Sequence, residues 1–237
     1  MLKKLIKVTA NDFRLIFRDN SLKIFIILPL LTLAVVRYAV PYVVGIFEPL
    51  QAYIPVIIML ATTQGSTAFG FIYSMVLVDE KDTSVAKVYG VLPISKFAFV
   101  AFRLIPPFAL ASATTFLLLL VEPFYGFPML HIFFYSILSG LFAPVMVIFV
   151  ALLANNKIEA MTWQKLFNLP LVLPVLSLFI AFPLSFLFAL SPTFWAYRSI
   201  DALINGGNFW LNLSIGYLHT TAFLIPMIKR LTKTHFR

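Results

Sequence analysis

The apolar runs of this sequence come in lengths of roughly 20 to 25 residues, the amount a helix needs to cross about 30 Å of hydrocarbon. They fall near 22–46, 54–78, 98–121, 129–153, 166–190 and 209–228. Inside a bilayer every backbone N–H and C=O must find its partner within the protein, so runs of this kind form helices. The expectation is one all-α membrane domain over residues 1–237, with six transmembrane helices. A soluble fold is excluded on arithmetic, because 61% of the 237 residues are hydrophobic, 11% are charged and 26 are Phe. Pro41, Pro55, Pro106, Pro107, Pro144, Pro170, Pro174 and Pro183 fall inside or near the ends of these runs, so kinks are expected, most of all in the fifth.

Charge sets the orientation. Of the 18 Lys and Arg residues, all but Arg37, Arg103 and Arg198 lie in the N-terminal stretch, the C-terminal tail or the loops after the second and fourth runs. Positive residues collect on the cytoplasmic side, so both termini are placed inside, with an even number of crossings. The formal net charge of +9 is thereby explained without a nucleic-acid surface. Lys3, Lys4, Lys7, Arg14, Arg18 and Lys23 are spread through the first stretch with no apolar h-region or cleavage site, so it is not a signal peptide. Leu2, Leu5, Ile6, Phe13, Ile16 and Phe17 line up opposite those charges, predicting an interfacial helix over 1–21.

The longest charged interruption is Val78–Arg103, VDEKDTSVAKVYGVLPISKFAFVAFR. Asp79, Glu80 and Asp82 suit a helix N-terminus, Asp82, Thr83 or Ser84 can cap its first turn, and Gly90 and Pro93 close it. Val85, Val88, Tyr89 and Leu92 recur at helical spacing, giving one apolar face. Ser95 can cap the next helix. A capped amphipathic segment between spans two and three is suited to dock on a partner outside the bilayer; a solvated loop lying on headgroups accounts for the same residues.

Polar residues also recur within the spans. Thr62, Thr63, Gln64, Ser66 and Thr67 sit in the second, Ser112, Thr114 and Thr115 at a comparable level in the third, and Arg37 in the first. Small and hydroxylated residues let helices approach and bond across their contact. Arg37, Thr63, Gln64, Thr67 and Thr114 are also candidates for a polar substrate path, because an Arg deep in a span costs about 2.5–3.5 kcal/mol on insertion scales and usually has a partner. Glu48, close to three turns on from Arg37, and Glu122 are the candidate partners, with Pro41 able to spoil the first alignment. Snorkelling of Arg37 to the outer surface is the plainer alternative.

Catalytic chemistry is not written into the chain. No phosphate-binding G-x-x-x-x-G-K-[ST] motif occurs, so nucleotide hydrolysis is not expected here. His131, His219 and His235 are scattered, no ligand spacing suggests a metal, and Cys is absent. The nine carboxylates fall in loops or at span ends, which argues against a proton- or sodium-driven carrier and against a hydrolase. Two loops carry further shape. In Ala154–Lys165, Asn155 or Asn156 can cap a short helix bearing Ile158, Met161 and Trp163. In Ser191–Asn208, Pro192 suits a first turn, Arg198 and Asp201 pair at i, i+3, and Asn205-Gly206-Gly207 ends a helix dipping into the outer leaflet, with an ordinary aromatic belt as the alternative.

The acidic stretch Val78-Asp79-Glu80-Lys81-Asp82-Thr83 followed by Val91-Leu92-Pro93-Ile94-Ser95, with Asn155-Asn156-Lys157-Ile158-Glu159-Ala160 and Lys165-Leu166 before span five, resembles the membrane subunit of an ABC-2-type (type V exporter) ABC transporter. Asp82 stands where that family usually has Gly, and Val91-Leu92 precede the Pro. The resemblance covers nearly the whole chain. It implies an export permease of the cell membrane, a separate ABC ATPase that carries ATP and Mg, no cofactor in this chain, and a homodimer of permease chains. It assigns ATPase coupling to the segment of Glu80, Thr83, Val85, Val88, Tyr89 and Pro93. A non-transporting membrane scaffold or assembly factor is the alternative, and it expects no ATPase partner.

Overall fold

The structure is a computed structural model, and it describes residues 2–90, 95–181 and 183–235. Val91, Leu92, Pro93 and Ile94 of the sequence motif lie outside the described residues. The architecture is all-helical, with no strand among the described residues. In chain order the helices are α1 (Leu2–Arg18), α2 (Asn20–Ala34), α3 (Val40–Ile46), α4 (Ile54–Asp82), α5 (Val85–Gly90), α6 (Lys96–Arg103), α7 (Ile105–Val121), α8 (Met129–Gly140), α9 (Phe142–Leu153), α10 (Lys157–Val172), α11 (Pro192–Asn205) and α12 (Phe209–Thr234). Five helical stretches are long and apolar enough to cross a membrane: Leu22–Ile46, Glu48–Asp82, Lys96–Val121, Met129–Leu153 and Phe209–Thr234.

Four of these five stretches are interrupted, three of them at prolines. In the first, a π-turn over Val35–Ala39 joins α2 to α3. Pro41 cannot donate to the carbonyl of Arg37 and its ring crowds that carbonyl, so the helix widens just before it. A short 3₁₀ stretch, Glu48–Tyr53, leads into α4. Pro106 and Pro107 set α7 off from α6 in the third span, and the fourth is divided between α8 and α9 near Leu141 and Pro144.

The expected fifth span, 166–190, is not one helix. After α10 the chain continues as two 3₁₀ stretches, Leu173–Leu178 and Leu184–Leu190. Phe179 reaches the ring of Tyr53 at the start of α4, 6.4 Å between centroids, and the chain then returns until the Ser191 hydroxyl donates to the carbonyl of Pro170. From there α11 leads away again, so 173–181 and 183–205 fold back on each other as a hairpin. Proline explains the break and α11 repairs it. Pro174 supplies no N–H to the carbonyl of Pro170, and the tightened turn leaves that of Leu171 without its helical donor. Ser191 takes the first, and the Thr193 hydroxyl at 2.8 Å and the Tyr197 hydroxyl at 2.9 Å donate to the second. Irregular backbone in apolar surroundings is tolerated where protein groups satisfy it.

The predicted details of α11 are present: Pro192 in its first turn, Gly206 at φ +81 just beyond its end, and an Arg198–Asp201 contact at 3.8 Å. It is not a surface helix, however. Phe194, Ala196, Tyr197 and Ile200 are buried against α4, α8 and α12. The core thus has two halves, one around α11 at one end of the bundle and one around α4, α9 and α10 at the other. Between them runs a polar seam. The carbonyl of Thr62 accepts from Thr115 (2.9 Å) and Ser139 (2.8 Å), Ser66 donates to the Ser139 carbonyl (2.6 Å), and Thr62 meets the Tyr135 hydroxyl at 3.0 Å. These bonds tie α4 to α7 and α8, as small hydroxylated residues do in apolar surroundings.

Candidate functional site

The last turn of α4 is the junction of the whole bundle. With 29 residues, α4 is about 43 Å long at 1.5 Å per residue, longer than the hydrocarbon it has to cross. Its end therefore projects beyond the apolar core, and the sequence there is Val78-Asp79-Glu80-Lys81-Asp82. The sequence placed these acids at the start of the docking helix; the structure places them at the C-terminal end of α4, where the helix dipole disfavours carboxylates. Each is compensated by a cation or turned outward. Asp79 meets Lys157 at the start of α10 (2.9 Å), and Glu80 meets Arg103 at the end of α6 (2.6 Å). Lys81 donates to the last carbonyls of α9, Ala151 at 2.9 Å and Ala154 at 2.6 Å, and satisfies groups that a helix terminus leaves open. Three consecutive residues thus hold three different helices.

Arg103 is the centre of this arrangement, with only 3% of its side chain exposed. Its Nε and Nη2 donate to the two oxygens of Asp12 on α1, each at 2.7 Å, and its Nη1 to Glu80. His235, beyond the end of α12, brings Nε2 to 3.5 Å from Glu80. Helix α1 and the residue following α12 therefore meet at one end of the bundle, on the segment that carries α5. Burial pushes the Asp12 carboxyl up to about 6, because desolvation and the neighbouring Glu80 outweigh its share of one guanidinium. Asp12, Arg103 and His235 were not singled out from the sequence as a group. The signal was an Arg in an apolar run, for which a partner had to exist.

Beyond Asp82 the chain turns at Ser84, whose φ is +60, and α5 begins at Val85. A serine in the left-handed region costs about 1–2 kcal/mol, so the turn is held by what surrounds it. The expected single apolar face of α5 is divided. Ala86 is buried and Tyr89 lies against Phe99 of α6 with ring centroids 5.2 Å apart, whereas Val85 and Val88 point outward, Val88 being 62% exposed. Of the coupling candidates, Val85 and Val88 form an exposed apolar pair and Thr83, exposed, donates to Asp79 within its own turn. Glu80 is turned inward to Arg103. Ser95 caps α6 as predicted, accepting from the Ala98 N–H at 3.4 Å, and Asn156 caps α10, accepting from Glu159 at 2.9 Å. The latter helix is longer than the short element expected there.

The candidate pathway residues do not converge. Arg37, displaced by the π-turn, is exposed, and among the described residues its polar partner is the carbonyl of Val121, at 3.3 Å, rather than Glu48 or Glu122. That carbonyl ends α7, so the guanidinium sits at a negative helix terminus. Glu122 is occupied with the N–H groups of Phe124, Tyr125 and Gly126. Thr63 is buried and donates to Leu60, and Thr114 donates to carbonyls of its own helix where α7 closes on Gly65. Gln64 and Thr67 lie half-buried at i, i+3 on α4, with no side-chain hydrogen bond among the described residues. No cluster of metal-ligating side chains occurs among the described residues.

No curated protein and no solved structure matches this chain. The family described as "Fluoroquinolones export permease protein Rv2686c-like", an ABC-2-type permease family, matches over residues 12–228, a range that opens on Asp12 and takes in Glu80, Arg103 and α11. This multi-pass chain is therefore a member of the Rv2686c-like family of export permeases.

Proposed function

We propose that the chain is the membrane half of an ATP-driven exporter, coupled through α5 to a separate ABC ATPase that binds ATP and Mg. The observation that carries this reading is an exposed apolar pair, Val85 and Val88, on a short helix anchored at its base to α1, α6, α9, α10 and the end of α12. A push on such a helix reaches every element at that end of the bundle at once.

Six crossings with both termini cytoplasmic are the topology we adopt. Its support is that Asp12 and His235 meet on Glu80 and Arg103, that the end of α9 meets Lys81, and that α12 begins beside His131 of α8 at the opposite end. The stretch 157–205 then makes one net crossing, through α10 and the hairpin. We place cargo between two copies of the chain, along the half-buried Gln64 and Thr67 stripe of α4, in a cell-membrane homodimer. The family description points to fluoroquinolones as the first cargo to test.

The test uses tagged wild-type and Val88→Asp chains. Wild type should co-purify a nucleotide-binding subunit and support ATP-dependent efflux in vesicles; Val88→Asp should reach the membrane at equal abundance and lose both. Efflux unchanged in the variant removes α5 as the coupling element. Absence of any ATP-dependent efflux in wild type favours the scaffold reading. Cysteine labelling at positions 87, 157 and 198 checks the topology, the first two being inaccessible from outside.

A further inference from the structure

A cleft of about 560 Å³ opens between the α1–α2 junction and the adjoining ends of α4 and α10. Arg18, Asp19, Asp79 and Lys157 line it together with the apolar Leu22, Met75 and Val76. It lies at the ends of two candidate spans. Leu22 is the first residue of the span Leu22–Ile46, and Asp79 stands three residues before the end of Glu48–Asp82. The charged residues thus lie where hydrocarbon gives way to headgroups, above side chains that belong to the apolar interior.

The charges are of both signs and differ in their commitments. Asp79 and Lys157 face each other at 2.9 Å, yet both side chains are close to half exposed. Asp19 accepts from the Leu22 N–H at 3.4 Å. Arg18 is exposed and makes no ion pair among the described residues, although it ends α1, where a cation is favoured. A guanidinium at this level is a ready partner for a phosphodiester, and an adjacent carboxylate for an ammonium. A purely anionic headgroup would meet Asp19 and Asp79 with no positive group to set against them; one carrying both charges has its ammonium for them.

We propose that this cleft is a binding site for an amino-headgroup glycerophospholipid of the phosphatidylethanolamine class. Its phosphodiester lies on Arg18 and Lys157 and its ammonium on Asp79, over the buried Leu22, Met75 and Val76 that floor the cleft, with the acyl chains left to the surrounding bilayer. The site depends on the membrane location of the chain and not on the transport reading. It places a lipid against the same turn of α4 that holds α5.

Native mass spectrometry of the purified full chain tests it, with phosphatidylethanolamine, phosphatidylglycerol or phosphatidylcholine of matched acyl chains added in detergent. Phosphatidylethanolamine should be retained in preference to the other two. Arg18→Gln should weaken its retention about ten-fold, the order expected for one charge-assisted hydrogen bond, while Arg18→Lys keeps most of it. Asp79→Asn should level the three lipids. Arg18 is exposed, so helicity and elution volume of the Gln variant should match wild type, and a variant that fails this check is replaced by Asp79→Asn. Equal retention of all three lipids by wild type overturns the proposal, as does retention unchanged by Arg18→Gln. Displacement of the lipid by soluble phosphoethanolamine at the same concentration assigns the cleft to a soluble phosphate ester instead.

Discussion

Removing the guanidinium of Arg103 is the sharpest test of the junction at the end of α4. Arg103→Met keeps the length and apolar stem of the side chain but leaves Asp12 and Glu80, 1% and 5% exposed, facing each other without their shared cation. Breaking a buried ion pair from one side costs about 3–5 kcal/mol, because the remaining charge is uncompensated. For a chain of this size that corresponds to a fall of about 10 °C in thermal midpoint. The assay is thermal unfolding of the purified protein in detergent at about pH 7.5, where Asp12 is ionised. The triple variant Arg103→Met, Asp12→Asn, Glu80→Gln should recover most of the loss, since replacing all members of a buried ionic group is often close to neutral. Arg37→Met provides the contrast. It removes one hydrogen bond from an exposed site and should shift the midpoint by less than about 3 °C. A single Arg103→Met variant as stable as wild type, or a triple variant no better than the single, would refute the claim that charge compensation holds this junction.

The other predictions concern separate parts of the structure. Asp12 is held at about 6 against an ordinary 3.8, so its contribution is fully present below about pH 3.8 and is lost as pH rises through about 6; between about pH 4 and 6.5 the midpoint of wild type should fall relative to that of Asp12→Asn, by up to about 3 kcal/mol in stability. A parallel course of the two proteins across that window removes this assignment. A Cβ on Gly65 runs into the Thr114 hydroxyl, so Gly65→Ala should destabilise by about 1–3 kcal/mol and Thr114→Ala should restore much of it, measured as a double-mutant cycle in thermal melts. Thr193→Val or Tyr197→Phe alone leaves the Leu171 carbonyl one donor, whereas the pair leaves none; the double variant should lose about 1–3 kcal/mol more than the sum of the singles. Arg37→Leu removes an insertion cost and should reach the membrane at least as well as wild type; efflux assays at matched abundance then decide whether its contact with Val121 matters to transport, and unchanged efflux in both Leu and Lys variants takes Arg37 out of the pathway.

The sequence by itself determined the class of the fold and much of its local punctuation. Apolar run length is set by bilayer thickness, and caps act over three or four residues, so five of the six expected helical spans, the Ser95 and Asn156 caps and the Pro192–Asn205 helix with its Gly206 stop were legible. Even the fragility of the fifth run could be read from its prolines. What it became could not, because the hairpin depends on which distant hydroxyls reach the orphaned carbonyls of Pro170 and Leu171. The same limit applied to the site. Glu80 carries the same charge whether it starts a docking helix or ends a span, and only the approach of Arg103, 23 residues away, and of Asp12, 91 residues from Arg103, turned it inward. Periodicity likewise put Val85, Val88 and Tyr89 on one face, but Phe99 drew Tyr89 back and left the two valines outside. Helix type follows from near neighbours along the chain; the partner of a buried charge is selected by the packing of whole helices, and only the tertiary structure contains it.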